Sequence, residues 1–318
     1  MLAEETDAGV HPIFTGSGTV RPTFDAMEWS RIAPRLGLNV PYEWWPSAPA
    51  LKEIEAAGFA WTQVPSPPEP VLRDGRRLLR HAAALAAVLE TSGLRRLLHA
   101  PGSLRAGSRD GDRAFHGLLT YASEVGATQI VYHAANLPDV PASEDELLAE
   151  VRSLSELARR AEELGLTIAL ENLAPVFPAP DALCFTPRLL RTVANRLASP
   201  AVGLCLDLGH ANVVADLRHT DAVELLEPAL DHAVLFHLHD NLGARRGLPS
   251  PPELDPLRLD LHLPPGRGTV PWARLAPLLE RSEAPLLLEI HPAHRPPPAA
   301  VHAQARAALG VGAERALA

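Results

Sequence analysis

The run AVGLCLDLGHANVVADL, residues 201–217, decides the reading of the fold. Its apolar stretch, Val202 to Leu206, has the length and continuity of a buried strand, yet it ends on Asp207, with His210 three residues on. A carboxylate and an imidazole at the end of a buried strand are costly unless they are paired or bind a cation. The same texture recurs on both sides. LGLNVP (36–41), FAWTQVP (59–65), RRLLHAP (95–101) and TQIVYHAAN (128–136) precede it; LTIALENLA (166–174), AVLFHLHDN (233–241) and PLLLEIHP (285–292) complete a set of eight strand candidates.

Between them lie stretches rich in Ala, Leu, Glu and Arg. DGRRLLRHAAALAAVLETSG is expected to form a helix that ends on Gly93, and SEDELLAEVRSLSELARRAEELG one that ends on Gly165. Ser143, three residues before Glu146, has capping-box spacing, and both glycines suit C-terminal caps. Strands alternating with helices mean βαβ units and a parallel sheet. Eight such units point to an α/β fold of the (β/α)8 TIM-barrel type rather than a doubly wound sheet. The expected organisation is an N-terminal extension over 1–35 and one barrel domain over 36–318, with a long loop, 243–268, after the seventh strand. Loops of that length are usually functional.

Bulk properties narrow the function. A net charge of −9 argues against a protein that coats nucleic acid, and no apolar run is long enough to span a membrane. The acidic start MLAEETDAGVHP lacks the basic and apolar regions of a secretory signal. Cys184 and Cys205 sit in apolar contexts with no CxxC pair, which argues against a thiolate zinc site and a disulfide framework. A reducing cytoplasm is the expected location.

The strand ends carry the chemistry. His99, His133, Glu171, Asp207 with His210, His237 with His239, and Glu289 with His291 close six consecutive strands, and Asp260 and His262 follow in the long loop. In a TIM barrel those ends form the face where active sites are built. Imidazoles mixed with carboxylates, without thiolate, suit Zn²⁺, Mn²⁺, Fe²⁺ or Co²⁺ better than Mg²⁺ or Ca²⁺. Asp207 and His210 are thus read as metal-site residues. Asp260 and His262, two apart, would face the same way in extended backbone, and the loop would then be pinned by metal. His239 and His291 stand two residues beyond a strand-end residue and are expected to orient it or to touch substrate.

These residues resemble the xylose isomerase-like TIM barrels, the superfamily that joins sugar (phosphate) isomerases and epimerases with endonuclease IV-type AP endonucleases. The resemblance rests on HAP at 99–101, YHAA at 132–135, ALENLA at 169–174, CLDLGHANV at 205–213, FHLHDN at 236–241, DLHLPPGRGTVPW at 260–272 and LLEIH at 287–291. It implies up to three metal ions. His99, His133 and Glu171 would hold one; Glu171, Asp207, His237 and Glu289 a second; His210, Asp260 and His262 a third. In the isomerase branch only the second set is used, with Glu171 and Glu289 as the acid/base pair. The departures are Ala134-Ala135 where many relatives have Pro-Gly, Gly102 where the DNA repair enzymes carry an aromatic residue, and Gly243 where epimerases often carry arginine. The expectation is therefore a divalent-metal isomerase or epimerase of a sugar-like polyol or sugar phosphate, acting through an enediolate. The alternative is an endonuclease IV-like multi-zinc phosphoesterase on abasic DNA or a small phosphoester. Arg245 and Arg267 are candidates to hold a phosphate or carboxylate, and Trp44 to stack on a sugar ring.

Overall fold

The computed structural model describes residues 29–134, 144–174, 186–244 and 260–310. Eight strands, β1 (Leu36–Asn39), β2 (Trp61–Pro65), β3 (Arg95–His99), β4 (Gln129–Tyr132), β5 (Thr167–Glu171), β6 (Val202–Asp207), β7 (Ala233–Leu238) and β8 (Leu286–Leu288), pair in parallel and in chain order. β1 also pairs with β8, so the sheet closes into a barrel. All eight fall within the stretches expected from the sequence.

The helices in chain order are α1 (Trp29–Ile32), α2 (Ala48–Ala56), α3 (Glu69–Leu72), α4 (Gly75–Leu89), α5 (Arg109–Glu124) and α6 (Glu144–Glu163). They continue with α7 (Pro187–Leu197), α8 (Leu208–Arg218), α9 (Ala222–Leu226), α10 (Trp272–Glu280) and α11 (Pro298–Ala308). Polar caps set several starts: the Asp74 side chain accepts the amides of Arg76 and Arg77 on α4, and Ser108 accepts that of Gly111 on α5. α6 ends as expected, with Gly165 left-handed at φ +67. Its expected capping-box residue, Ser143, lies outside the described residues.

α4 ends earlier than expected. Its last residue is Leu89, and Gly93 plays no part in the cap. Thr91 and Ser92 donate their hydroxyls back to the carbonyls of Val88 and Leu89, which offers the chain an alternative to further helix. Gly93 serves close approach instead: its amide donates to Glu55 Oε1 at 3.0 Å, and a Cβ there would stand 2.8 Å from that oxygen.

Two apolar layers hold the barrel. The larger lies between sheet and helices and includes Leu38, Leu98, Phe115, Leu118, Tyr132, Leu204, Phe236 and Leu288. The smaller fills the barrel interior: Trp61, Leu97, Val131, Ala169, Cys205, Leu235 and Leu287. Gly37 makes room for this plug, because a Cβ there would meet Trp61 Cβ at 2.8 Å and Leu287 Cδ1 at 2.9 Å. Residues 29–35, at the end of the expected extension, pack onto the barrel: Arg35 is buried and donates to the carbonyls of Ala284 and Leu279. No helix among the described residues is long and apolar enough to cross a membrane.

Candidate metal centre

The interior plug sets the site by counting. Side chains on a strand alternate, so the residue two positions past each plug residue also points inward. From Trp61, Leu97, Val131, Ala169, Cys205, Leu235 and Leu287 this step gives Gln63, His99, His133, Glu171, Asp207, His237 and Glu289. They line the mouth at the C-terminal ends of the strands, above a largely apolar floor that carries the Cys205 thiol and the Trp61 indole.

Glu171 is the hub, and it is fully buried. Its Oε2 faces His133 Nε2 at 3.1 Å and His99 Nε2 at 3.5 Å. Its Oε1 faces His237 Nδ1 at 2.9 Å. That same nitrogen stands 3.3 Å from Glu289 Oε2 and 3.7 Å from Asp207 Oδ2. A third group lies alongside: Asp260 Oδ1 is 2.8 Å from His262 Nε2 and 3.5 Å from His210 Nε2. The nine residues expected from the resemblance thus converge at the mouth, and one carboxylate is shared between two groups.

Gln63 was not anticipated. Its Nε2 donates to Glu289 Oε1 at 2.9 Å, so its oxygen is free to accept from His237 Nε2 at 2.9 Å. That places the His237 proton on Nε2 and leaves Nδ1 to face the carboxylates. Asn172 was also missed. It pins the backbone of Asp207 from both sides, donating to its carbonyl at 3.0 Å and accepting its amide at 2.9 Å.

The donors fit a divalent cation. Glu171 Oε2 and Asp207 Oδ2 are buried with no hydrogen-bond partner among the described residues. Oxygen and nitrogen donors converge at separations that ligands of one ion require. Burial would raise the Glu171 carboxyl, but His237, His133 and His99 hold it well below the usual carboxylate range. Burial likewise opposes charge on Asp260 and His262, yet the pair overcomes it: Asp260 is held low and His262 is pushed up to about 9. Imidazolium protons here balance buried carboxylates, a task that a bound cation takes over as it displaces them.

The remaining expected residues are dispersed. His239 is buried within the third group. The His291 ring instead accepts the Ala293 amide and caps the turn at Pro292–His294. Arg267 is exposed in the returning loop, and Arg245 lies outside the described residues. Trp44 is half exposed in the segment after β1, with the Arg295 guanidinium 5.8 Å from its ring centre. Asp260 and His262 do come together, but not through extended backbone: His262 is left-handed at φ +48, which turns its ring back onto Asp260.

A family model described as xylose isomerase-like TIM barrel matches residues 51–309. An uncharacterized protein of Methanocaldococcus jannaschii is 30% identical over 124 residues, covering 38% of this chain and 41% of that protein. The chain spans less than half the length of the curated relatives it matches. Among solved structures, a D-tagatose 3-epimerase-like protein is 19% identical with a TM-score of 0.65, over 87% of this chain and 97% of that one. The IolI protein, crystallised with a bound zinc atom, is 18% identical with a TM-score of 0.64, over 89% of this chain and all of the other.

Proposed function

The chain belongs to the xylose isomerase-like TIM barrel family, and on that premise we propose that it is a divalent-metal-dependent isomerase or epimerase of a sugar-like polyol or sugar phosphate. The observation that carries this reading is the pair Glu171 and Glu289, which approach one imidazole nitrogen, His237 Nδ1, at 2.9 and 3.3 Å. Two carboxylates held this way stand ready to act on one small substrate.

Glu171, Asp207, His237 and Glu289 would hold the ion. When bound, it would supply Lewis-acid polarisation of a carbonyl and the neighbouring hydroxyl, which acidifies the C–H of the hydroxyl-bearing carbon. Glu171, kept ionised by its imidazoles, takes that proton, and the substrate passes through an enediolate. Glu289 returns a proton; its side chain is 16% exposed against 1% for Glu171, so it exchanges with water more readily. Gln63 holds Glu289 Oε1 and leaves Oε2 for this work. Trp44 and Arg267 stand as candidate contacts to the sugar ring and to a phosphate.

A second reading rests on the convergence of all nine resemblance residues: a multi-metal hydrolase of abasic DNA or a smaller phosphoester. Against its DNA form, Gly102 presents no side chain where the repair enzymes carry an aromatic residue.

The test is proton exchange. Metal-loaded protein is incubated in D2O with a panel of ketoses, aldoses and their phosphates, and the carbon-bound protons are followed by NMR. Deuterium uptake at the carbon next to a carbonyl is expected, and Glu171→Gln should slow it by about 10²–10⁴-fold with the fold intact. Cleavage of abasic DNA or phosphodiesters without any exchange would replace this reading with the second.

A further inference from the structure

We infer that Arg295 seats an anionic end of the substrate, a terminal phosphate or carboxylate, so that this barrel acts on a charged sugar rather than a neutral one. The inference rests on the sugar-type reading above and narrows it to one class.

The placement begins with Asn39. Gly37 is the β1 position level with the interior plug, and two residues on, Asn39 points inward with the residues of the mouth. It pairs with Gln63 on β2 and stands one step past the Leu38–Leu288 pair, beside Glu289. Neighbouring strands are about 4.8 Å apart, so Asn39 lies one strand from each of the two. Its side chain is buried and clamps residue 290, accepting the Ile290 amide at 3.1 Å and donating to the Ile290 carbonyl at 3.4 Å. Arg295 reaches back across this seam. Its Nη1 donates to the Asn39 carbonyl at 2.6 Å and to Asn39 Oδ1 at 2.7 Å.

The rest of the guanidinium is uncommitted. Nε and Nη2 make no hydrogen bond among the described residues, and they carry parallel N–H groups along one edge. That edge is the fork that holds a carboxylate or phosphate through two oxygens. Glu53 is the acid whose charge bears on Arg295, and the two form no ion pair. Burial pushes the Arg295 pKa down to about 10, so the group stays charged at neutral pH while half-buried. A cation drawn from water without a counterion is costly, and an anion brought by the substrate offsets that cost. Trp44 flanks it, with its ring centre 5.8 Å from the guanidinium carbon.

The backbone holds the arginine in place. The turn before it, Pro292–His294, is capped by the His291 ring, and Pro296, Pro297 and Pro298 follow it with φ fixed by their rings. An arginine on a fixed backbone, with one nitrogen already tied, has little freedom left to lose on binding. Arg267 differs: it is exposed on the loop after β7, where water screens its charge.

The experiment is calorimetric titration of the metal-loaded full chain with ribitol, ribitol 5-phosphate and ribonate. None of them has an aldehyde or ketone to enolise, so binding is read without turnover. Wild type should hold at least one of the two anions about 30-fold or more tighter than ribitol, and which one it holds separates a sugar phosphate from a sugar acid. Arg295→Gln should bring the ratio of anion to polyol affinity close to 1, and Arg295→Lys, which keeps the charge but not the fork, should retain part of it. Two results overturn the inference. One is a wild type with no preference for either anion, whether it binds all three compounds or none, and this result needs no variant to fold. The other is a preference that survives in Arg295→Gln. A purely structural arginine gives the second result, because losing its bonds to Asn39 weakens polyol and anion alike and leaves their ratio unchanged. Absence of proton exchange beside a preference that depends on Arg295 would defeat the reaction but not this seat, and exchange on sugars without such a preference would do the reverse.

Discussion

Asp207 and Asp240 are both fully buried and lie at the same end of the barrel, one closing β6 and the other just past β7. Asp240 is saturated. Its Oδ1 accepts the amides of Asn241 and Val270, both at 3.0 Å, and its Oδ2 accepts Gly266 N at 2.9 Å and the Trp272 indole at 3.0 Å. Asp207 is not. Its Oδ1 accepts the His210 amide and faces His239 Nε2 at 3.1 Å, while its Oδ2 has no hydrogen-bond partner among the described residues and faces imidazoles of His210 and His237 at 3.5 and 3.7 Å. Burial and residue type are alike in the two; the supply of N–H donors differs. A buried carboxylate surrounded by amides builds structure, and one left short of donors is built for a cation.

Four substitutions probe that contrast. Asp240→Ala should have the largest effect, a loss of about 3–5 kcal/mol in stability, because four buried donors lose their acceptor. Denaturant unfolding reads it, and metal bound per folded molecule should stay at the wild-type value; a stable variant would break the distinction. Asp207→Asn should do the opposite, with metal affinity down by about 100-fold or more and the thermal midpoint close to wild type. A large drop in midpoint there would make Asp207 a structural residue too.

Gln63→Leu sharpens the comparison by leaving every proposed ligand in place. It removes the donor to Glu289 and the acceptor for His237 together, and should weaken the same ion by about 10–100-fold, measured by metal titration. An unchanged affinity would reduce Gln63 to a space filler. The smallest change is expected at Trp44, which is exposed. Trp44→Ala should raise KM roughly 3-fold with kcat unaltered, since an exposed aromatic contact is worth about 0.5–1 kcal/mol. A fall in kcat alone would remove it from substrate binding.

The fold was legible because each strand candidate is an apolar run that stops at a polar residue, and because helical texture separates the runs. The strand-end residues were legible for the same reason. Gln63 was not, since it lies inside FAWTQVP and looks like an ordinary strand residue. Only the interior register, counted two residues past Trp61, places it beside His237 and Glu289. The roles of Asp240 and Gly209 were hidden because they depend on which distant amides and rings approach them, and a single sequence carries no record of that. His262 reached Asp260 by a backbone conformation that spacing rules do not anticipate.

β6 passes into α8 with no residue between them, and Asp207 both ends the strand and caps the helix through the His210 amide. This corner therefore has no room for insertion: an added residue would displace either the carboxylate or the cap. The corners after β1, β3, β4, β5 and β7 span residues 40–47, 100–108, 133–143, 172–186 and 239–271. Substrate preference is expected to be set from those longer corners, with the β6 corner as the fixed anchor beside them.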